Sequence, residues 1–274
     1  MKNLATSKNE ICLIAGSGLF VNEVANYLKF KNLLGQIVII NDNKTLKKNF
    51  KNNYKQFDIK NLEKIILFIK SKNLQKIIII GYVDLPPLDK INLSIKSKLL
   101  ISKDIFLNNI NDQSKILNKY LLNNKLTLLS QKKLLKEMLI TNDDEYVHKE
   151  NKNIVNQLRK KKVFIRKLYS MNIGQSFIFN GNRLIAMEDI FGTNDLINRV
   201  GKISSKFNNL IFVKSKKHNQ IDGIDFPVMG MDTLKLLIKY KFRVICLFNS
   251  DILISDKEKF LKHVKNNRIS LIVL

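Results

Sequence analysis

The chain has 274 residues, 45% of them hydrophobic, so it can bury a sizeable core and is longer than one typical domain. A net charge of +25 would ordinarily point to nucleic acid, but the lysines are dispersed through a Lys-, Asn- and Ile-rich composition without zinc spacing, heptads or an aromatic RNA-binding strand, which excludes that partner. Cys12 and Cys246 lie in apolar runs, against a disulfide framework and for a reducing compartment, and every apolar run falls far short of the ~20 residues that span a bilayer.

The first ten residues are polar and show no signal-peptide pattern. After them, short apolar runs alternate with helical periodicity: strand 11–15, helix 21–29, strand 36–40, helix 61–70 and strand 76–80. That rhythm predicts an α/β fold with a Rossmann-like parallel sheet. Pro86 and Pro87 interrupt it; helices are expected over 88–100, 104–120 and 131–139, with a short strand near 126–129. The polar, acidic stretch 141–145 reads as a linker, dividing the chain into an N-terminal domain of residues 1–140 and a C-terminal mixed α/β domain of residues 141–274. There, a long helix is expected over 152–168, followed by strands 174–179 and 183–188 around Asn180-Gly181, a dipeptide favoured in tight hairpins because both central residues take positive φ. Strands at 210–214, 243–248 and 270–274 and helices at 193–200, 232–240 and 256–267 complete the pattern.

Three constellations could carry chemistry. Gly16-Ser17-Gly18 sits between the first strand and the first helix, where glycines let backbone approach a phosphate at a helix N-terminus. The third glycine of a dinucleotide fingerprint falls at Val21, so redox chemistry is not implied, and an ordinary strand-to-helix turn explains the segment equally well. The second is acidic: Glu188 and Asp189 face opposite ways at a strand end, and Gly192-Thr193 leads towards Asp195, with a helix cap the readier reading of Thr193 when the turn is taken alone. The third is Lys214, Lys217, Gln220, Asp222 and Asp225, where carboxylates could hold a divalent ion and ammonium groups could neutralise a pyrophosphate; a solvated charged loop is the alternative. Of the three histidines, only His218 lies in that loop.

These segments, taken together, resemble the LpxI family of UDP-2,3-diacylglucosamine pyrophosphatases. The resemblance rests on Leu13-Ile-Ala-Gly-Ser-Gly18, Gly174-Gln175-Ser176, Glu188 followed by Gly192-Thr193, and the series Lys214, Lys217, Gln220, Asp225, Pro227, Gly230 and Thr233, with Gly81-Tyr82-Val83 and Asp104 as further matches. It implies an N-terminal nucleotide-binding-like domain, a distinctive catalytic C-terminal domain and a lipid substrate held between them. It also implies Mg²⁺-dependent hydrolysis (Mn²⁺ is equally suited to oxygen ligands) of UDP-2,3-diacylglucosamine to UMP and 2,3-diacylglucosamine 1-phosphate in lipid A synthesis. Asp225 matches the family's acidic residue, and Asp225 and Glu188 are the expected catalytic and metal-binding carboxylates. The expected substrate contacts are Gly16, Ser17, Gly18, Gly81, Gly192, Thr193, Lys214, Lys217 and Gln220. The chain departs from the family pattern at Ile221 and Gly223, where an acidic or amide residue and an arginine are usual, and at Phe191 and Asn194, where the family's Glu-Gly-Thr-Asp turn has its acids.

Phe177, Phe179, Phe191 and Phe226 are candidate linings for an acyl groove. The dispersed positive charge suits peripheral contact with an anionic surface at the cytoplasmic face of the inner membrane, with a homodimer left open. A non-catalytic nucleotide-sugar or lipid-binding protein is the alternative, and it would need neither carboxylate.

Overall fold

The computed structural model describes residues 9–40, 42–83, 86, 90–95, 97–99, 101, 113–171, 173–216, 222–224 and 226–274. The fold is mixed α/β, as expected, and divides into two compact units: Met1–Gln131 with Ile221–Asp225, and Lys132–Gln220 with Phe226–Leu274.

The first unit runs β1 (Ile11–Ala15), α1 (Phe20–Phe30), β2 (Leu34–Ile39), α2 (Lys44–Asn49), β3 (Tyr54–Gln56), α3 (Leu62–Ser71), β4 (Lys76–Ile80), α4 (Gln113–Asn123), β5 (Thr127–Leu128) and α5 (Gln131–Leu134), the last reaching into the second unit. Its five strands pair in parallel in the order β3-β2-β1-β4-β5. β1 and β4 are near-continuous apolar runs because a parallel sheet is covered on both faces. Cys12, Ile14, Ile77 and Ile79 join the apolar cluster with Ile65, Ile66 and Ile69 of α3 and Ile116 and Leu121 of α4, while the alternate positions Leu13 and Ile78 are equally buried. α1 packs on β2 and β4 through Val21, Val24, Ala25 and Leu28. Two elements went unforeseen, α2 and β3: Leu46 is the one buried residue of α2 and β3 is half-exposed, so neither has an apolar period to read. The helices expected over 88–100 and 104–120 fall partly outside the described residues.

The second unit contains α6 (Lys152–Lys160), α7 (Lys162–Ser170), β6 (Ser176–Asn180), β7 (Arg183–Met187), α8 (Thr193–Gly201), β8 (Leu210–Lys214), β9 (Val228–Met229), α9 (Met231–Lys239), β10 (Val244–Leu247), β11 (Leu253–Ile254), α10 (Lys257–Asn266) and β12 (Ser270–Val273). Its main sheet has the order β12-β10-β8-β6-β7, with β12, β10 and β8 parallel and β6 antiparallel to both neighbours. Strand side chains alternate between two cores: Phe212, Ile245 and Leu271 meet α8, α9 and α10, while Val213, Cys246 and Ile272 meet α6 and α7.

The single helix expected over 152–168 is two, broken at Lys161. The break falls inside the run Arg159–Lys160–Lys161–Lys162, where a continuous helix would set Arg159 and Lys162, three residues apart, on one face as like charges. The hairpin turn lies on Gly181 and Asn182, with Gly181 its positive-φ residue, so Asn180 closes the strand instead. The acidic stretch at 141–145 is folded into the second unit: Thr141 and Asp144 form a capping box, Asp144 pairs with Lys257 at 2.7 Å, and Glu145 pairs with Arg159.

Candidate active site

In the first unit, the strand order reverses beside β1, so the carboxyl ends of β1 and β4 form a switch point, the usual ligand position in such sheets. Gly16, Ser17, Gly18 and Gly81 all lie there. The two loops cross closely: Gly16 N–H donates to the Ile80 carbonyl at 2.8 Å, Ser17 N–H to the Tyr82 carbonyl at 2.9 Å, and Tyr82 N–H to the Ser17 carbonyl at 3.0 Å. A Cβ on Gly16 would stand 2.3 Å from the Tyr82 oxygen, and one on Gly81 would stand 2.4 Å from the Ser17 oxygen. These glycines are therefore fixed by backbone crossing, and the Gly16 and Ser17 amides are turned into it and away from a phosphate. Gly18, at φ +113 with open space where a Cβ would sit, leads into α1.

Residues 221–225 belong to the first unit although β8 and β9 on either side belong to the second. Gln131 holds this segment: its backbone N–H donates to the Asp222 carbonyl at 3.1 Å, and its side-chain amide donates to the Ile79 carbonyl at 2.8 Å. Ser130 donates to the Asp222 carboxylate. Gly223 is the residue for which resemblance predicted arginine, and there is no room for one, since even a Cβ would approach Leu128 within 2.5 Å.

A largely buried polar cluster lies in the second unit, at the carboxyl end of β8. Lys214 is only 5% exposed and Ser176 is fully buried. The antiparallel register sets Ser176 of β6 directly opposite Lys214. Glu188, just past β7, and Thr193, the first residue of α8, complete the group. The Lys214 ammonium donates to Thr193 Oγ1 at 2.7 Å and to Ser176 Oγ at 3.2 Å. Thr193 donates in turn to Glu188 Oε1 at 2.7 Å, while Glu188 Oε2 accepts the Gln175 N–H at 3.2 Å. Thr193 is thus a bridge between cation and carboxylate and not the helix cap, a place taken by Gly192 at φ +84. Burying a charge requires such compensation, and these hydroxyls supply part of it.

Alternation along the chain separates the neighbouring acids. Asp189 is exposed and pairs with Arg199 at 2.6 Å, and Asp195 pairs with the same guanidinium at 2.7 Å. Neither joins the cluster.

Two residues missed from the sequence extend this edge. Ser215, adjoining Lys214 and 3% exposed, donates to Asp251 Oδ2 at 3.3 Å. Burial pushes the Asp251 carboxyl up from its ordinary range, partly opposed by the nearby Lys132. A signal existed: Asn249-Ser250-Asp251 is a polar triplet one residue beyond β10, where site residues of parallel strands collect. Lys217, His218, Gln220 and Asp225 lie outside the described residues.

The family model for the LpxI N-terminal domain matches residues 10–138, and the model for the LpxI C-terminal domain matches residues 144–272. The chain belongs to the LpxI family. No curated protein matches it. LpxI proteins are UDP-2,3-diacylglucosamine hydrolases of lipid A biosynthesis, and the chain is accordingly an enzyme of the diphosphatase class.

Family membership corrects the expected function in two respects. The non-catalytic alternative falls, because the family is one of hydrolases. The expected function also tied the reaction to a metal, whereas the family match carries the reaction and not its metal dependence. Both Glu188 oxygens already accept hydrogen bonds, one of them from a threonine that an ammonium contacts, and no group of three His, Cys, Asp or Glu among the described residues could hold an ion. The expected acyl groove also changes. Phe177 and Phe179 are fully buried core, Phe177 packing edge-on against Tyr169 at 4.9 Å; Phe226 is 4% exposed under Lys216, and only Phe191 faces solvent.

Proposed function

We propose that this chain hydrolyses the diphosphate of UDP-2,3-diacylglucosamine at the carboxyl edge of β8, with the Lys214 ammonium taking up charge that develops on a phosphate oxygen. The observation that carries this reading is the manner in which Lys214 is held. It is nearly buried, it is held by two hydroxyls, and one of these, Thr193, donates in turn to Glu188. An ammonium held in place in this way needs no reorganisation when negative charge develops beside it. The N-terminus of α8, which opens at Thr193, adds oriented amides of the same sign.

Glu188 acts as a positioning residue, holding Thr193 and the Gln175 amide in place. Asp225 is the essential carboxylate in this reading, acting on the attacking water, with Lys217 and Gln220 as further phosphate contacts. No step is assigned to Mg²⁺ or Mn²⁺. No helix among the described residues is long and apolar enough to cross a membrane. The lipid substrate is reached by peripheral contact at the cytoplasmic face of the inner membrane, helped by the excess of cations and by the exposed pair Ile190 and Phe191.

Uridine nucleotide release from UDP-2,3-diacylglucosamine in mixed micelles tests the reading, with chelator and added divalent cation as parallel arms. Release in at least one arm is expected. Intact substrate in every arm, with folded protein, overturns it.

A further inference from the structure

Successive strand side chains face opposite ways, so the carboxyl edge of the second unit's sheet has two sides. Lys214 lies two residues beyond Phe212 and shares its side, towards α8, α9 and α10, whereas Phe248 and Leu274 belong to the apolar cluster of α6 and α7. On that other side a cavity of about 650 Å³ opens beyond the ends of β10 and β12. Its size is that of a small-molecule site, and its place is where ligands of parallel strands bind. Every lining residue belongs to the second unit.

The charge of the wall is lopsided. Arg159 of α6 and Lys162 and Arg166 of α7 line it against two carboxylates, Glu145 and Asp251. Both carboxylates are already engaged. Glu145 pairs with Arg159 and accepts the Val273 N–H at 3.2 Å, while Asp251 accepts from Ser215 at 3.3 Å and stands 3.9 Å from Lys132. Lys162 and Arg166, four residues apart and so neighbours on one face of α7, have no ion-pair partner among the described residues. The Arg166 guanidinium lies over the Phe248 ring, 5.9 Å from its centroid.

We propose that this cavity binds a phosphate group, at a site separate from the Lys214 cluster. Arg166 supplies a planar fork that matches two phosphate oxygens, Lys162 a compact second charge, and Asn142 and Asn249 neutral donors in the same wall. Two cations without carboxylates of their own match the near-double charge of a phosphate monoester, which a single carboxylate ligand does not. The site stands apart from the hydrolase reading, since Lys162 and Arg166 have no part in it.

Equilibrium dialysis of the full chain against inorganic phosphate, and flotation with vesicles containing phosphatidic acid, read the free and the lipid-borne forms of that group. Saturable binding in at least one arm is expected. Arg166→Gln and Lys162→Gln should each weaken it by about tenfold or more, the scale of one lost charge-assisted hydrogen bond, and Asp251→Asn should tighten it by removing an opposing charge. Two controls fix the place. Lys214→Met should bind as wild type does, and so should Lys167→Gln, the same loss of charge on α7 at a residue outside the cavity wall. No saturable binding in either arm overturns the proposal. So does binding that both α7 substitutions leave unchanged, that Lys214→Met abolishes, or that Lys167→Gln weakens as much as Lys162→Gln. Arg166 is exposed, so its substitution leaves the core intact, and a cooperative thermal transition in each variant confirms the fold.

Discussion

Thr193 is the residue on which the site's electrostatics turn. Its hydroxyl donates to Glu188 and accepts from Lys214, so Thr193→Val would leave a partly buried carboxylate and a buried ammonium each short of a bond. A loss of about 1–3 kcal/mol in urea unfolding is expected, the usual cost of stranding such groups, and Thr193→Ser should restore most of it. Asp251 makes a prediction about pH. Because burial raises its pKa above the ordinary 3.8, the folded state holds the proton more tightly than the unfolded chain, and stability falls as pH climbs through the window just above that value. Below the window both states are protonated and nothing is lost. Asp251→Asn should therefore be more stable than wild type at neutral pH, with the gain vanishing below about pH 3.8; thermal unfolding across pH reads this directly. Cys12 and Cys246 stand apart from the chemistry: burial pushes Cys12 up to about 12 and raises Cys246 further, so neither offers a thiolate near neutrality.

At the scale of elements, the crossing of the β1 and β4 loops is the most constrained feature of the first unit. Gly81 combines φ +87 with 2.4 Å between a would-be Cβ and the Ser17 oxygen. Gly81→Ala should cost at least about 1–3 kcal/mol in unfolding free energy, by overpacking and by strain. A variant of unchanged stability would mean the loops have room that the geometry denies. The strands at the centre of both sheets were legible in the sequence because burial on two faces demands unbroken apolar runs such as Lys76–Ile80. The two-residue strands β9 and β11 were not, since two residues carry no period. The cluster was half legible. Glu188, Thr193 and Lys214 stood out as polar groups at strand and helix ends, but Ser176 did not emerge as a partner of Lys214. That role comes from β6 pairing with β8, a neighbour relation between residues 38 apart in the chain. The role of Gly223 was equally hidden, because only the packing of Leu128 shows why an arginine does not fit.

At the scale of the molecule, the two units of the α/β fold were foreseeable from the strand–helix rhythm, but the return of residues 221–225 to the first unit was not, because it depends on tertiary packing around Gln131. The positive charge acts at the same scale. With 48 cations against 23 acids, vesicles rich in anionic lipid should bind the protein at low salt, each cation near the surface adding about 1 kcal/mol, and flotation should show release as salt rises. Binding that ignores salt would remove the electrostatic part of the membrane proposal. The central claim is that a buried ammonium, fixed by hydroxyls at the end of β8, receives the substrate's diphosphate. Turnover of UDP-2,3-diacylglucosamine by Lys214→Met, with folding checked by its unfolding transition, tests that claim most directly. The account predicts a fall in kcat of about 10²–10³-fold, the scale for removing one preorganised electrostatic group, in a protein that still unfolds cooperatively. A folded Lys214→Met enzyme with wild-type kcat would contradict it.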